Sequence, residues 1–74
     1  MKSLDLNKTL YELTESYPEL IDILSELGFE LVKKPIARKT LGKIITIPAG
    51  CRKKGINLDN VIKILRKKGF NIVE

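Results

Sequence analysis

The segment NLDNVIKILRKKG, residues 57–69, decides the fold because it has every sign of an amphipathic helix. Asn57 is the predicted N-cap and Gly69 the predicted C-cap, so both ends are marked. Asp59 in the first turn and the basic residues of the last turn favour the helix dipole. The apolar positions recur at helical spacing and form one stripe, made of Leu58, Val61, Ile62 and Leu65. The sequence therefore predicts a helix that needs a core to bury this stripe.

Three shorter helical segments are predicted before this one. Asn7 is the predicted N-cap of a first helix that stops before Pro18, since the residue before a proline is biased away from helical geometry. A second helix is predicted from Pro18 to a glycine cap at Gly28. A third is predicted from about residue 35 to residue 46 on its helical period. A strand at residues 44–47 is the competing interpretation, because β-branched residues favour strands.

The third element is predicted to end at Pro48 in either case, and residues 49–54 are predicted to form one helical turn closed by Gly55. The apolar residues at 4–6 and 70–73 are extended in character and allow a minimal two-stranded pairing of the termini. The predicted fold class is all-α. It is a single small domain, residues 1–74, built as a bundle of about four short helices, with that strand pair as an addition.

Composition limits the chemistry of a chain of 74 residues. It has no histidine and one cysteine, so it can build neither an internal disulfide nor a Cys/His zinc site, and we expect no metal and no cofactor. No apolar run reaches the roughly 18 residues of a membrane span, and none follows a basic start as in a secretory signal. The sequence therefore predicts a cytoplasmic protein, where a lone thiol is usual.

Charge is divided unevenly along the chain, whose net charge is +5. Residues 1–32 carry two lysines against seven carboxylates, a net of −5, whereas residues 33–74 carry twelve basic residues against two carboxylates, a net of +10. Such a division indicates attraction between the two halves, a basic surface for an anionic partner, or both. Of these we prefer a basic face that is complemented by the chain's own acidic half.

Several short motifs follow one another along nearly the whole chain: Tyr17-Pro18-Glu19, Leu27-Gly28-Phe29, Pro35, Thr40-Leu41-Gly42, Ile47-Pro48, Gly50 and Gly69-Phe70. Their order and spacing resemble domain-of-unknown-function family 1858 (DUF1858). The similarity is to the branch found alone or at the N-terminus of larger bacterial and archaeal proteins with PAS or hemerythrin-like domains. What the resemblance implies is a compact helical bundle from a bacterium, often an anaerobe, without a settled biochemical activity.

The resemblance does not bring redox chemistry with it. Some relatives carry a cysteine pair just after the glycine that corresponds to Gly28, and they are described as a redox-disulfide type associated with hybrid-cluster proteins. This chain has Phe29-Glu30-Leu31 there. Because thiol–disulfide exchange needs a second sulfur, and Cys51 lies in another segment, that activity does not carry over.

Cys51 is the one obvious nucleophile in the sequence, and nucleophilic catalysis would need a base beside it. Its basic neighbours and a helix N-terminus at residues 49–50 would lower the pKa of its thiol. An ordinary small side chain at the start of a helical turn is the simpler interpretation. No catalytic residue is therefore predicted, and we do not expect an enzyme.

A small-anion site is one hypothesis for residues 50–54. Glycine lets backbone amides approach a phosphate, and Arg and Lys add charge. The candidate ligands are Gly50, Cys51, Arg52, Lys53 and Lys54. The alternative is a turn whose glycines serve only chain reversal. A groove is predicted near Thr40, Gly42 and Lys43, where Gly42 indicates close packing between helices.

The predicted function is a non-catalytic module that docks a protein partner or a small anionic ligand. Apolar residues expected at the surface, Ile36, Ile47 and Ile72, favour docking to a partner or self-association. Nucleic-acid binding through the basic half is the alternative. We rank it lower because the basic stretch lacks interleaved aromatic residues, and because turns that carry prolines argue against a helix-turn-helix. No membrane partner is expected.

Overall fold

Residues 2–73, which this computed structural model describes, form five α-helices and two short strands. In chain order they are β1 (Lys2–Asp5), α1 (Leu10–Ser16), α2 (Leu20–Glu26), α3 (Pro35–Thr40), α4 (Ile47–Lys54), α5 (Leu58–Lys67) and β2 (Phe70–Val73). Two 3-10 helices, Glu30–Lys33 and Leu41–Lys43, lie before and after α3. The predicted helical bundle with paired termini is confirmed, with one helix more than expected.

The apolar stripe of α5 is buried, as its spacing predicts. Val61 and Leu65 belong to one core with buried residues from both strands and from α1, α2 and α4. Phe29, which follows α2, is the largest of the fully buried side chains. In contrast, α3 contributes no buried residue. Four of its six residues are exposed: Pro35, Ile36, Lys39 and Thr40.

The two ends of the chain pair as parallel strands. Lys2 lies opposite Phe70 and Asp5 opposite Val73, and the pairing continues as the Leu6 amide donates to the Val73 carbonyl at 2.9 Å. Leu4 and Phe70 are buried, so each strand places one large apolar side chain in the core. A pair this short is marginal by itself, and this burial stabilises it.

The prediction of one helix over residues 35–46 is wrong. The helix ends at Thr40, a 3-10 turn follows, and a new helix begins at Ile47, so residues 44–47 are neither a helix end nor a strand. The Thr46 hydroxyl is the N-cap, accepting from the Ala49 amide at 3.3 Å. Pro48 therefore lies in the first turn of α4 and does not terminate an element. A proline lacks the amide that a helix interior requires, but the first turn leaves that amide unbonded in any case.

The start of α1 also differs from the prediction. The N-cap is Thr9 and not Asn7, and it forms a reciprocal capping box with Glu12. The Thr9 oxygen accepts from the Glu12 amide at 3.3 Å, and the Glu12 carboxylate accepts from the Thr9 amide at 3.0 Å. The bond from the Thr9 amide, followed by that from its hydroxyl, lowers the pKa of Glu12. Two amides that the helix leaves unbonded are thus satisfied at once.

Replacing Thr9 by alanine is expected to lower the free energy of unfolding by about 1 kcal/mol, because an amide of the first turn loses its acceptor. Asn7→Ala is the control, since the side chain of Asn7 is exposed and caps nothing. Urea unfolding followed by circular dichroism measures both. An equal loss in the two variants would contradict the assignment of the cap to Thr9. The loss of unfolding free energy in Thr9→Ala should become smaller as the pH falls and Glu12 is protonated. Because the pKa of Glu12 is lowered in the folded state, its contribution to stability is present at higher pH and is lost in acid.

The helix ends predicted at glycines are confirmed. Gly28, Gly55 and Gly69 have positive φ, at 113°, 71° and 97° respectively. At Gly55 the left-handed conformation turns the chain out of α4 while the amides of Gly55 and Ile56 both donate to the Cys51 carbonyl. These two bonds satisfy the Cys51 carbonyl in the last turn of the helix.

Candidate interaction surfaces

The residues predicted to bind an anion lie inside α4 and not at its N-terminus. Gly50 is buried, and its amide donates to the Thr46 carbonyl at 2.9 Å, so it has no free donor for a phosphate. The expected helix start at residues 49–50 is wrong because the helix begins at Ile47. The exposed side chains of residues 52–54 are the groups in this segment that could still bind an anion. A small-anion site there stays a prediction.

Cys51 is buried, with 2% of its surface exposed. Burial raises the pKa of its thiol, which reverses the lowering expected from its basic neighbours. Since the charged form is disfavoured where water is excluded, the thiol is not activated as a nucleophile. The side chain instead fills the core between α4 and its neighbours.

The groove predicted at residues 40–43 is largely filled by contact with α1. Gly42 is buried, and a Cβ atom there would lie 3.5 Å from the Tyr11 backbone nitrogen, an ordinary contact distance, so the packing against α1 does not require a glycine at this position. The Lys43 Nζ lies 4.9 Å from the centre of the Tyr11 ring, a cation–π contact. The Thr40 hydroxyl donates to the Ile36 carbonyl at 2.8 Å. Thr40 and Lys43 remain exposed at the border of this contact.

Three large apolar side chains are exposed close together in the chain. Ile36 is 81% exposed, Leu41 50% and Ile44 75%, and we call these three the apolar corner. Leu41 begins the 3-10 helix that follows α3, and Ile44 caps the end of that helix. Another large apolar residue exposed within residues 2–73 is Val73, at 45%, on β2.

The sequence predicted only part of this surface. Ile36 is exposed as predicted, but Ile47 is fully buried and Ile72 partly so. A continuous helix over residues 35–46 would place Leu41 and Ile44 on its apolar side. The break after Thr40 turns them outward. The Thr-Ile-Pro signal at residues 46–48, which starts a new helix, would have indicated that break.

The surroundings of the apolar corner are basic. No acidic residue occurs between Leu31 and Leu58, and Lys34 and Lys39 are exposed beside the corner. Arg38 is committed to the fold, since its guanidinium donates to the Val32 carbonyl at 2.6 Å. An exposed apolar surface with positive charge around it therefore lies on α3 and the turn that follows.

The two oppositely charged halves share one core, but few ion pairs join them within the described residues. Within residues 2–73 one ion pair joins them, Lys33 with Asp22, at 3.7 Å and exposed on both sides. The other, Lys2 with Glu19, lies within the acidic half. Complementation of the basic residues by the acidic half as a whole stays a prediction. The cations of α4, α5 and the residue that caps α5 are in no ion pair within residues 2–73, and we call them the basic face: Arg52, Lys53, Lys54, Lys63, Arg66, Lys67 and Lys68.

Two open cavities interrupt the surface. One of about 300 Å³ is lined partly by Ser3, Asp5, Lys8 and Tyr17, and the Tyr17 hydroxyl there accepts from the Ser3 amide at 3.2 Å. The other, of about 370 Å³, lies on the basic face and is lined by Asp59, Ile62, Lys63 and Arg66. Among residues 2–73 there is no group of three His, Cys, Asp or Glu side chains that could hold a metal ion. Nor does that part of the chain contain a helix that is long and apolar enough to cross a membrane.

Comparison with known proteins supports the fold. A family model described as "Domain of unknown function (DUF1858)" matches residues 4–62. A solved structure described as "The crystal structure of the conserved domain protein from Streptococcus pneumoniae TIGR4" is similar at a TM-score of 0.94 and 26% identity. The match covers 99% of this chain and 92% of that one. No curated protein matches the chain. The structural likeness thus extends through β2, beyond the end of the family match.

Proposed function

Because the chain belongs to the DUF1858 family, which is defined as a domain of unknown function, we propose from its surface that it is a non-catalytic module that docks a protein partner. The apolar corner is the observation that carries the proposal. Isoleucine and leucine side chains gain about 1.5–3 kcal/mol when fully buried, so three exposed together favour a partner that covers them. The absence of histidine and the buried thiol of Cys51 support a non-catalytic role. A free thiol also fits the reducing conditions of the cytoplasm, which we propose as its location.

The partner that this surface fits is a protein surface with an apolar centre and acidic groups around it. Lys34 and Lys39 lie beside the apolar corner without acidic neighbours in sequence, so carboxylates on a partner would be attracted to them. An amphipathic acidic helix has this chemistry and would place its apolar residues on Ile36, Leu41 and Ile44. The apolar contacts would supply most of the affinity, and the lysines the orientation and the association rate.

A titration followed by 15N-HSQC spectra tests this proposal with a synthetic amphipathic helical peptide, leucine on one face and glutamate beside it. We expect saturable shifts at residues 34–44. Ile44→Ser should weaken binding about ten- to hundred-fold, because about 1.5–3 kcal/mol of apolar burial is lost. Val73→Ser is the matched control, an exposed apolar residue outside the corner. A peptide with lysine in place of glutamate should bind more weakly.

Two results would contradict the proposal. If the acidic peptide produces no saturable shifts, the surface does not accept a partner of this chemistry. If Val73→Ser weakens binding as much as Ile44→Ser, the peptide is held by apolar residues generally and the corner is not the site. Both variants change exposed side chains, so the folded spectrum should be retained in each.

A further inference from the structure

We propose that α4, the turn at residues 55–57 and α5 form a helix-turn-helix unit that binds B-form duplex DNA through the basic face. This inference does not rest on the proposed docking function, since it concerns different residues. It needs three things: a tight turn between two packed helices, an exposed polar stripe on the second helix, and cations without partners.

The connection between α4 and α5 has the form of a helix-turn-helix turn. It is three residues long, begins with Gly55 in the left-handed conformation, and ends with Asn57, whose side chain accepts from the Asn60 amide at 3.1 Å. A turn of about three or four residues between two helices, often containing glycine, is one feature of the motif. Both helices bury residues in the same core, which holds their orientation.

The prolines that argued against this motif lie elsewhere. They occur at positions 18, 35 and 48, and none is in the turn at 55–57. Pro48 lies in the first turn of α4, where it is compatible with a helix. The structure therefore removes that objection to nucleic-acid binding.

The second helix presents a polar stripe away from the core. Asn60, Lys63 and Lys67 are exposed and spaced at i, i+3 and i+7, so they share one side of α5, opposite its buried residues. With 10 residues, α5 is about 15 Å long, and the major groove of B-form DNA, about 12 Å wide, accepts a helix. Asparagine and lysine are side chains that donate to adenine and guanine edges there.

The charge of this surface suits a phosphate backbone. The basic face has seven cations, and within residues 2–73 none of them is in an ion pair. Asp59 is the acidic residue that α5 carries in its first turn. Lys54 Nζ donates a hydrogen bond to the Gly28 carbonyl at 3.0 Å. Because a carbonyl is neutral, the positive charge of Lys54 is not neutralised by this bond. Free lysines and arginines of this kind bind phosphates and release counterions.

Duplex DNA is favoured over other polyanions by shape. The major groove of duplex RNA is too narrow for side chains to read, so a helix presenting Asn60 and Lys63 has no groove to enter. Binding of single strands relies on exposed aromatic residues for stacking. The basic face has none, and Phe70 beside it is buried.

Fluorescence anisotropy with a short mixed-sequence DNA duplex, over a range of salt concentrations, tests the inference. The double substitution Lys63→Ala with Lys67→Ala should reduce the slope of log affinity against log salt by about 1.8, or about 0.9 for each lost phosphate contact. Alanine is the best helix former, so α5 should stay folded. The matched control is Lys34→Ala with Lys39→Ala, which removes the same charge beside the apolar corner and should leave the slope unchanged.

Three outcomes would overturn the inference. They are the absence of binding at low salt, an equal loss of slope in the control variant, and equally tight binding of duplex RNA or single-stranded DNA. The second would mean that net charge and not the basic face attracts DNA. The control variant also separates the two proposals, because it should weaken binding of the acidic peptide and leave binding of DNA unchanged.

Discussion

Replacing Phe29 by alanine is expected to lower the free energy of unfolding by about 3–5 kcal/mol, the range for truncating a buried aromatic ring. Phe29 has no exposed surface, and its backbone amide donates to the Leu24 carbonyl at 2.9 Å, which holds the residue against the end of α2. The core of a domain this small often supplies only about 3–5 kcal/mol in total. The variant should therefore be largely unfolded without denaturant, as measured by circular dichroism and one-dimensional NMR.

Ile36→Ala is the control for Phe29→Ala. It also removes apolar volume, but from a side chain that is mostly exposed, so the change should stay within about 0.5 kcal/mol. A Phe29→Ala variant that unfolds cooperatively at the midpoint of the parent protein would mean that the ring is not packed as the structure has it.

Replacing Gly50 by alanine is expected to lower the free energy of unfolding by up to about 2 kcal/mol net. A Cβ atom at Gly50 would lie 2.5 Å from Cε1 and 3.2 Å from Cδ1 of the Phe29 ring, whereas carbon atoms prefer about 3.5–4.0 Å. Overpacking of this kind costs about 1–3 kcal/mol, and a fully buried ring has little room to move. The better helix propensity of alanine offsets about 1 kcal/mol of the cost. Urea unfolding gives the net value.

Gly42→Ala is a matched control for Gly50→Ala. Both glycines are buried and neither has positive φ, but a Cβ at Gly42 would make only ordinary contacts, the nearest at 3.5 Å. It should be nearly neutral. Adding Phe29→Leu to Gly50→Ala should cost less than the sum of the two single changes, because the smaller side chain relieves the clash. Equal losses at the two glycines, or strict additivity, would contradict this account.

The elements that could be predicted from the sequence are those with signals at both ends. In α5, Asn57 and Gly69 mark the two boundaries, and the apolar stripe predicts which side of the helix is buried. All three features are confirmed. The terminal strand pair was predictable as a pairing. The parallel direction of the pairing could not be predicted, because it depends on the path of the five helices that lie between the two strands.

Two errors came from choosing the wrong local signal. Asn7 is a favourable N-cap residue by type, but Thr9 is followed three residues later by Glu12, which is the spacing of a capping box. Proline commonly ends a helix, but Thr46 precedes Pro48 as an N-cap, and a proline in the first turn is favourable. In each case the sequence held the correct signal and a competing one.

The candidate surfaces were less predictable because they depend on distances across the fold. Opposite charges in the two halves of the sequence suggested mutual neutralisation, but their pairing requires side chains within a few ångströms, and only Lys33 and Asp22 are joined between the halves in residues 2–73. The role of Gly50 was likewise hidden. No local pattern shows that the ring of Phe29, far away in sequence, comes against it.

The parallel pairing of β1 with β2 affects when the domain can fold during its synthesis. Lys2 is paired with Phe70, so the first strand has no partner until residues 70–73 have left the ribosome. At about 5–20 residues per second, 74 residues take roughly 4–15 s. During that interval α1 and α2 can form locally, while Leu4 lacks the strand that it pairs with and part of the core that buries it. The domain can therefore close only after residues 70–73 are translated, and a nascent chain stalled before them would leave β1 unpaired and its one core residue, Leu4, without part of the core that buries it.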